Sequence, residues 1–482
     1  MSVLENMKPE LLWKQFDEIR KIPRCSKHEE KIMKYLLNFA KQHKLESKED
    51  KAGNIVIKKP ASNGMEKKPI VVLQSHMDMV CEKNSDVDFD FSKDPISLKI
   101  NGDILMADGT TLGADDGIGI ATSLALLIDE NLKLGPIEAL FTFDEETGLT
   151  GAFALGSDML SGRILLNLDS EDWGVLTVGC AGGGNSDVTI PVKTLKSSSN
   201  RNWIKITVSG LRGGHSGVDV HEQRANAIKV ISRILWKLES SFDIYIAEIH
   251  GGDKHNAIPR EAFAVIGFDP KDDKEIANAI KDEGKDICLE YKPIDPKCFV
   301  GIEKVKDPDM ILDSDSAKKI VNVLHALPHG VDKMNYDIAG LVETSTNLAK
   351  IRMQKDIVSI QLSSRSSITS ALQDLRNRIH AIISIAGGSV EEEEPYPGWQ
   401  PNLNSKILKL SKDLYRKKYG KDPVVEAIHA GLECGIIGEK FEGMEMISIG
   451  PTVKYPHSPE EQVHISTVDK FYDFVIDILK AV

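Results

Sequence analysis

Long apolar runs are missing from this 482-residue sequence. No stretch reaches the roughly 18 apolar residues that a membrane-spanning helix needs, so no helical span is expected. The N-terminal segment MSVLENMKPELLWKQFDEIRKIPR has no basic stretch followed by an uninterrupted apolar one, and no secretory signal is expected there. Cysteine is scarce: six residues (Cys25, Cys81, Cys180, Cys288, Cys298 and Cys434), with no CxxC pair. In so long a chain that excludes a disulfide framework, and it predicts reduced thiols and a cytoplasmic location. No cysteine stands in a nucleophile signature. Positive charge is in deficit, with 60 Lys and Arg against 73 Asp and Glu. Nucleic acid and anionic membrane surfaces repel such a balance, so neither is expected as a partner.

What is present is ordinary globular material, 41% hydrophobic and 28% charged. Single cores stop growing at roughly 250–300 residues, so at least two domains are expected. Apolar residues at helical spacing, Leu12, Phe16 and Ile19, then Ile32, Tyr35, Leu36 and Phe39, predict two helices separated by Pro23 and Ser26. Ser26 with Glu29 reads as a capping box. Short apolar runs at 54–58, 70–74, 137–142 and 164–168, with a helical pattern at 117–129, predict an α/β sheet with helices on both faces. Past Cys180 the texture changes to a glycine-rich stretch, 181–185, and more regular alternation. A long amphipathic helix is predicted over 222–238. A second strand-then-helix layout, 356–365 and 368–386, suggests that this α+β region holds two related halves. The run Glu391–Glu394, followed by Pro395, Pro397 and Gly398, reads as a hinge. The remaining elements complete the first domain. The expected organisation is therefore 1–185 and 398–482 as one domain, with 186–397 inserted as a lid.

Chemistry concentrates where the predicted strands stop. The run Ile70–Gln74 leads into Ser75-His76-Met77-Asp78. In an open α/β sheet, ligands bind at the carboxyl ends of strands. There His76 has one ring nitrogen free, and Asp78 is near enough to hold the other. A lone histidine after a strand is more often structural. Three acidic clusters change that: Gly113-Ala-Asp115-Asp116-Gly, Asp144-Glu145-Glu146-Thr-Gly and Asp169-Ser-Glu171. One such carboxylate is usually a cap or turn residue. Several converging on one sheet edge repel each other unless cations neutralise them. Mixed histidine and carboxylate donors suit zinc, with manganese or cobalt as alternatives. Adjacent Glu145 and Glu146 point differently, so one can bind metal while the other handles a proton. His457, between two prolines in Tyr455-Pro-His-Ser-Pro, reads by itself as an exposed loop residue.

Together, His76-x-Asp78, Gly113-Ala-Asp115-Asp116-Gly, Asp144-Glu145-Glu146-Thr-Gly, Asp169-Ser-Glu171 and Pro456-His457-Ser resemble the M20 family of metallopeptidases, in that family's order. Phrases such as Ile22-Pro-Arg-Cys-Ser, Gly210-Leu-Arg-Gly-Gly-His-Ser-Gly and Ile428-His-Ala-Gly-Leu-Glu-Cys-Gly are similar to its branch that cleaves aminoacyl-histidine dipeptides, and the likeness runs end to end. The resemblance implies a zinc-exopeptidase-like three-layer α/β domain with a mostly parallel central sheet, plus the α+β lid. It implies two zinc ions per chain, held by His76 and Asp169 on one side and Glu146 and His457 on the other, with Asp115 bridging. The Asp115–Asp116 bond is often cis in relatives. Glu145 falls on the general base, and Asp78 on the residue that orients His76. His215 falls on the lid histidine that reaches the scissile carbonyl oxygen, and Asn256 on a lid asparagine that contacts substrate. Many relatives carry an arginine on the next lid strand; residues 262–269 here have none. Arg365, on the equivalent strand of the second half, is assigned to the substrate carboxylate, which guanidinium grips with paired bonds. The implied activity is hydrolysis of unblocked dipeptides, including β-alanyl-histidine, by a homodimer. The competing expectation is a related tripeptidase or N-acyl-amino-acid deacylase.

Overall fold

The computed structural model describes residues 3–197 and 200–482. The chain divides into two compact units. One comprises residues 1–180, 399–427 and 432–482; the other comprises 181–398 and 428–431.

The first unit is built on an eight-stranded sheet. Its spatial order is Glu46–Glu49, Ile55–Lys59, Ile137–Thr142, Val71–His76, Ile164–Asn167, Glu445–Ser448, Val175–Cys180 and Val424–Ile428. The four central strands run parallel, while antiparallel strands flank them. Every residue of Val71–His76 and Ile137–Thr142 is buried, as expected of parallel strands covered on both faces. Val72, Leu140 and Leu165 pack with Ile437 and Phe441 beside the helix Glu433–Lys440. The helix Ala114–Ile128 packs on the same strands, and Glu10–Ile19 packs on that helix. A separate four-stranded sheet joins Leu98–Asn101, Ile104–Ala107, Gln462–His464 and Val453–Lys454. It brings a C-terminal loop, 455–461, back to the chain that precedes Ala114.

The second unit carries a nine-stranded antiparallel sheet. Its path is Phe299–Lys304, Asn202–Ser209, Ala262–Phe268, Tyr245–Gly251, Val342–Met353, Ile357–Ser366, Gly182–Pro191 and Ser389–Glu392, with Gly330–Met334 added on Val342–Met353. Ile206, Ile231, Ile266, Ile280, Ile320 and Ile379 are fully buried in one apolar cluster that joins sheet and helices. No helix among the described residues is long and apolar enough to cross a membrane.

Four local expectations are corrected. Ser26 and Glu29 form no capping box: the helix begins at Glu30 without a side-chain cap. Ser26 Oγ donates instead to Asp78, and Glu29 accepts from the Asp144 N–H, so tertiary partners outcompete the local ones. The lid helix begins at Ala227 rather than at 222, because Asn226 Oδ1 accepts the N–H groups of Ile228 and Lys229 and sets the cap there. Glu391 and Glu392 are not hinge but edge strand, paired with Asp187 and Ser186. The thiols expected to be reduced are paired in two cases, Cys25–Cys81 and Cys288–Cys298. A 56-residue separation concealed the first pair, whose Cα atoms lie 5.6 Å apart. Cys180 and Cys434 are free and buried.

Candidate metal centre and lid residues

Seven of the residues singled out by sequence converge at the carboxyl ends of the central strands of the first unit. His76 ends its strand and is 1% exposed. Its Nδ1 lies 3.2 Å from Asp78 Oδ1, and its Nε2 lies 3.0 Å from Asp115 Oδ1 and 3.4 Å from Asp169 Oδ1. Asp78 is held from the other side by Ser26 Oγ at 2.7 Å and by the N–H groups of Glu145 and Glu146 at 3.0 and 3.2 Å. One carboxylate therefore fixes both the imidazole and the turn that carries the glutamates. His457 Nε2 lies 3.2 Å from Asp115 Oδ2 and 3.0 Å from Glu146 Oε1. Asp115 thus sends one oxygen to each histidine. The Asp115–Asp116 peptide bond is cis.

The electrostatics of this cluster are those of a cation site. Hydrogen bonds to Asp115 and Glu146 push the His457 pKa up to about 11. Burial pulls His76 down, but the Asp169 charge and bonds to Asp115, Asp169 and Asp78 outweigh it and hold the pKa well above the ordinary value. Burial raises Asp115, yet the two histidines bring it below the usual carboxylate range. Burial also lifts Asp169 to about 7 and Glu145 well above its ordinary value. Two sets of three donors, His76 with Asp115 and Asp169, and Asp115 with Glu146 and His457, have their atoms within 4.8 Å of one another. Glu146 Oε1 is buried, with His457 Nε2 beside it at 3.0 Å. Hard oxygen and imidazole donors and a shared Asp115 fit a pair of divalent cations.

Sequence reasoning missed the support behind these residues. Glu433 is 1% exposed and accepts from Gln74 Nε2 at 2.6 Å and Thr142 Oγ1 at 2.8 Å. Gln74 Oε1 accepts from Asn167, whose Oδ1 accepts from Ser448 Oγ, and Ser448 meets Ser170 at 2.7 Å. The polar chain crosses four strands just below the ligands. Gln74, a long polar side chain next to Val71-Val72-Leu73 in a fully buried strand, was the signal available in the sequence.

The other three candidates lie in the second unit. The N–H groups of Gly217 and Val218 donate to His215 Nδ1 at 3.3 and 3.0 Å. The ring proton is therefore on Nε2, which is left as a donor. Burial and then the Arg365 charge lower the His215 pKa, so the ring is neutral at pH 7. A Cβ on Gly217 would stand 3.1 Å from the His215 ring, 3.2 Å from Arg365 Nε and 2.3 Å from the His429 carbonyl oxygen; only glycine fits there. Arg365 is buried, donates to Tyr396 Oη at 3.0 Å, and leaves Nε without a partner. Asn256 is exposed, but its loop is pinned: Asn347 Nδ2 donates to the carbonyls of His255 and Ala257, and Ser216 N–H donates to that of Asn256. His429 and Ser345, 2.7 Å apart, complete this polar group and were not singled out by sequence. Burial and then Arg365 push His429 down to about 3.

The model of peptidase family M20/M25/M40 matches residues 72–481. The cytosol non-specific dipeptidase of Escherichia coli K12 is 39% identical over all of this chain and 99% of its own. The crystal structure of aminoacylhistidine dipeptidase from Vibrio alginolyticus superposes with a TM-score of 0.94 at 40% identity, over 100% of this chain and 98% of that one. Aminopeptidase PepT from Bacillus cereus shares the fold, with a TM-score of 0.57 at 18% identity over 98% of each chain.

Proposed function

Since the chain belongs to peptidase family M20/M25/M40, we propose that it is a cytosolic metallo-dipeptidase that hydrolyses unblocked dipeptides, Xaa-His dipeptides among them, with two zinc ions per chain. The observation that carries the reading is Asp115 standing between His76 and His457, one oxygen to each, in a chain similar over its whole length to dipeptidases. His76 and Asp169 would hold one ion, Glu146 and His457 the other, and Asp115 both. Such ions supply Lewis acidity toward a peptide carbonyl and toward water.

The chain's own residues do the rest. Asp78 holds His76 in one orientation. Glu145, half-buried and lifted above its ordinary pKa, takes a proton from water at its carboxylate and returns it to the leaving amine; a base tuned upward suits both transfers. His215 offers its Nε2–H to a carbonyl oxygen that grows negative during attack, where a preset donor helps most. Arg365, with Nε unused, grips the substrate's C-terminal carboxylate, and Asn256 adds a contact. Recognition of that carboxylate restricts cleavage to short peptides. A homodimer belongs to the same proposal.

A cleavage panel with metal analysis of the same sample is the test. β-Alanyl-histidine and other dipeptides should be cut, with tripeptides and N-acyl amino acids cut far less. Preference for either of the latter would move the chain to a tripeptidase or a deacylase, and metal-loaded protein that cuts none would end the enzyme reading.

A further inference from the structure

The helix Ala114–Ile128 starts behind Gly113, which adopts the left-handed conformation and has no side chain to cap it. The first N–H groups of a helix have no partner within it and need an acceptor. Here the acceptor arrives from the far end of the chain. Glu461, 2% exposed, takes the N–H groups of Leu112 and Gly113 on Oε2, at 2.7 and 2.9 Å. On Oε1 it takes those of Ala114 and Asp115, at 2.7 and 3.3 Å. Four consecutive amides thus close on one carboxylate. Arg24, also 2% exposed, grips the same turn from its carbonyl side. Its Nη2 donates to Gly113 O, and its Nη1 donates to Met77 O at 3.1 Å and Asp78 O at 2.5 Å. A Cβ on Gly113 would fall 2.7 Å from that Nη2.

The loop that contributes Glu461 also contributes His457. That loop is poorly placed by packing alone: the His457 side chain is 49% exposed. Tyr455 and His457 have φ of +55° and +61°, a conformation non-glycine residues seldom hold unless the surroundings impose it. Ser458 closes the loop on itself, donating to Tyr455 O and accepting from Glu460 N–H, but these bonds do not tie it to Asp115.

We propose that Glu461 is a positioning residue for the metal centre, its carboxylate locking the His457 loop to the Asp115 turn, which Arg24 in turn ties to the His76–Asp78 segment. The inference rests on the reading of Asp115 and His457 as metal ligands. A local serine or aspartate cap would satisfy the helix but would not tie its first turn to the backbone of the His457 loop; Glu461 couples the two ligands.

The test is equilibrium dialysis of the full chain against graded free Zn²⁺, with bound metal measured, for the parent, Glu461→Gln and Glu461→Asp. Glutamine has the same shape but turns an NH₂ toward two of the four amides. The zinc midpoint of Glu461→Gln should move about 10- to 100-fold to higher free metal, the usual cost of losing support behind a ligand. Glu461→Asp should fall between, and turnover of Glu461→Gln at saturating zinc should return to within about threefold of the parent, because the ligands themselves remain. A folded Glu461→Gln with the parent's midpoint overturns the proposal, as does lost turnover that zinc does not restore. A parent that binds no zinc instead overturns the metal reading beneath it. Should neither variant fold, amide hydrogen exchange on the unaltered, metal-free chain decides. Leu112–Asp115 should exchange as slowly as the strand Val71–His76, and fast exchange there overturns the lock.

Discussion

Loading the metal centre should expel protons, and their number follows from the geometry. In the metal-free chain the His457 imidazole is hydrogen-bonded to Asp115 and Glu146 and titrates at about 11. His76 is likewise held well above its ordinary value despite burial. At pH 8 the His457 ring is therefore cationic, by about a thousand to one, where an unperturbed histidine with a pKa of roughly 6.5 would be neutral, and His76 is shifted in the same direction. A metal takes only the neutral ring, so each histidine that becomes a ligand must lose its proton. Asp169, at about 7, adds roughly 0.1 proton at pH 8 and about 0.9 at pH 6. Filling both positions should release at least about one proton per chain at pH 8, and more at pH 6. The overall loading constant should then weaken at least about tenfold for each unit the pH falls near pH 8. Isothermal titration calorimetry in buffers of different ionisation enthalpy reads the number directly. His457→Ala should lower it by about one. Fewer than one proton at pH 8 in the unaltered chain would show that the histidines are neutral before loading, and would refute the reasoning.

Glu145→Gln should keep its metal content yet lose turnover by at least about a hundredfold, the scale of a removed general base; unchanged turnover in a metal-replete sample would refute that role. Arg365→Met should lower kcat/KM for a dipeptide by roughly 10- to 100-fold, as charged hydrogen bonds are worth about 1.5–3 kcal/mol. The same dipeptide with its C-terminus amidated should be cleaved equally by both proteins, and an equal loss on the amide would count against carboxylate recognition. Oxidised protein should resist urea better than reduced protein, with an upper bound of about 4 kcal/mol from closing the loop between Cys25 and Cys81. Cys25→Ser should remove the share of that difference due to Cys25–Cys81, leaving only the smaller share of Cys288–Cys298, and a parent midpoint indifferent to reductant would contradict it.

Much of the first unit was legible because buried parallel strands announce themselves. The strands ending at His76 and Thr142 carry apolar runs, Val71-Val72-Leu73 and Ala139-Leu140-Phe141, and their chemical residues follow where the apolar run stops. Charge was legible too, since three acidic clusters in one domain call for neutralisation. His457 was not legible from its surroundings. It sits in a loop whose shape depends on left-handed residues and a distant carboxylate, and only family likeness singled it out. Glu461 and Glu433 were missed because a buried glutamate reads in sequence like a surface one; what distinguishes them is who donates to them, across hundreds of residues. Ser26 and Glu29 misled for the opposite reason. Their spacing satisfies a local rule, but Asp78 and Asp144 offered better partners.

The four residues 428–431 belong to the second unit, though the chain on either side of them belongs to the first. His429 there holds Ser345, and its carbonyl oxygen crowds the place of a Gly217 side chain. The second unit is therefore not a cassette. A recombination event that exchanged residues 181–398 as a block would import a polar group lacking one of its members and leave the original histidine to meet a foreign partner. Shuffling at the two obvious crossover points is thereby penalised, and the second unit is inherited together with the chain that encloses residues 428–431.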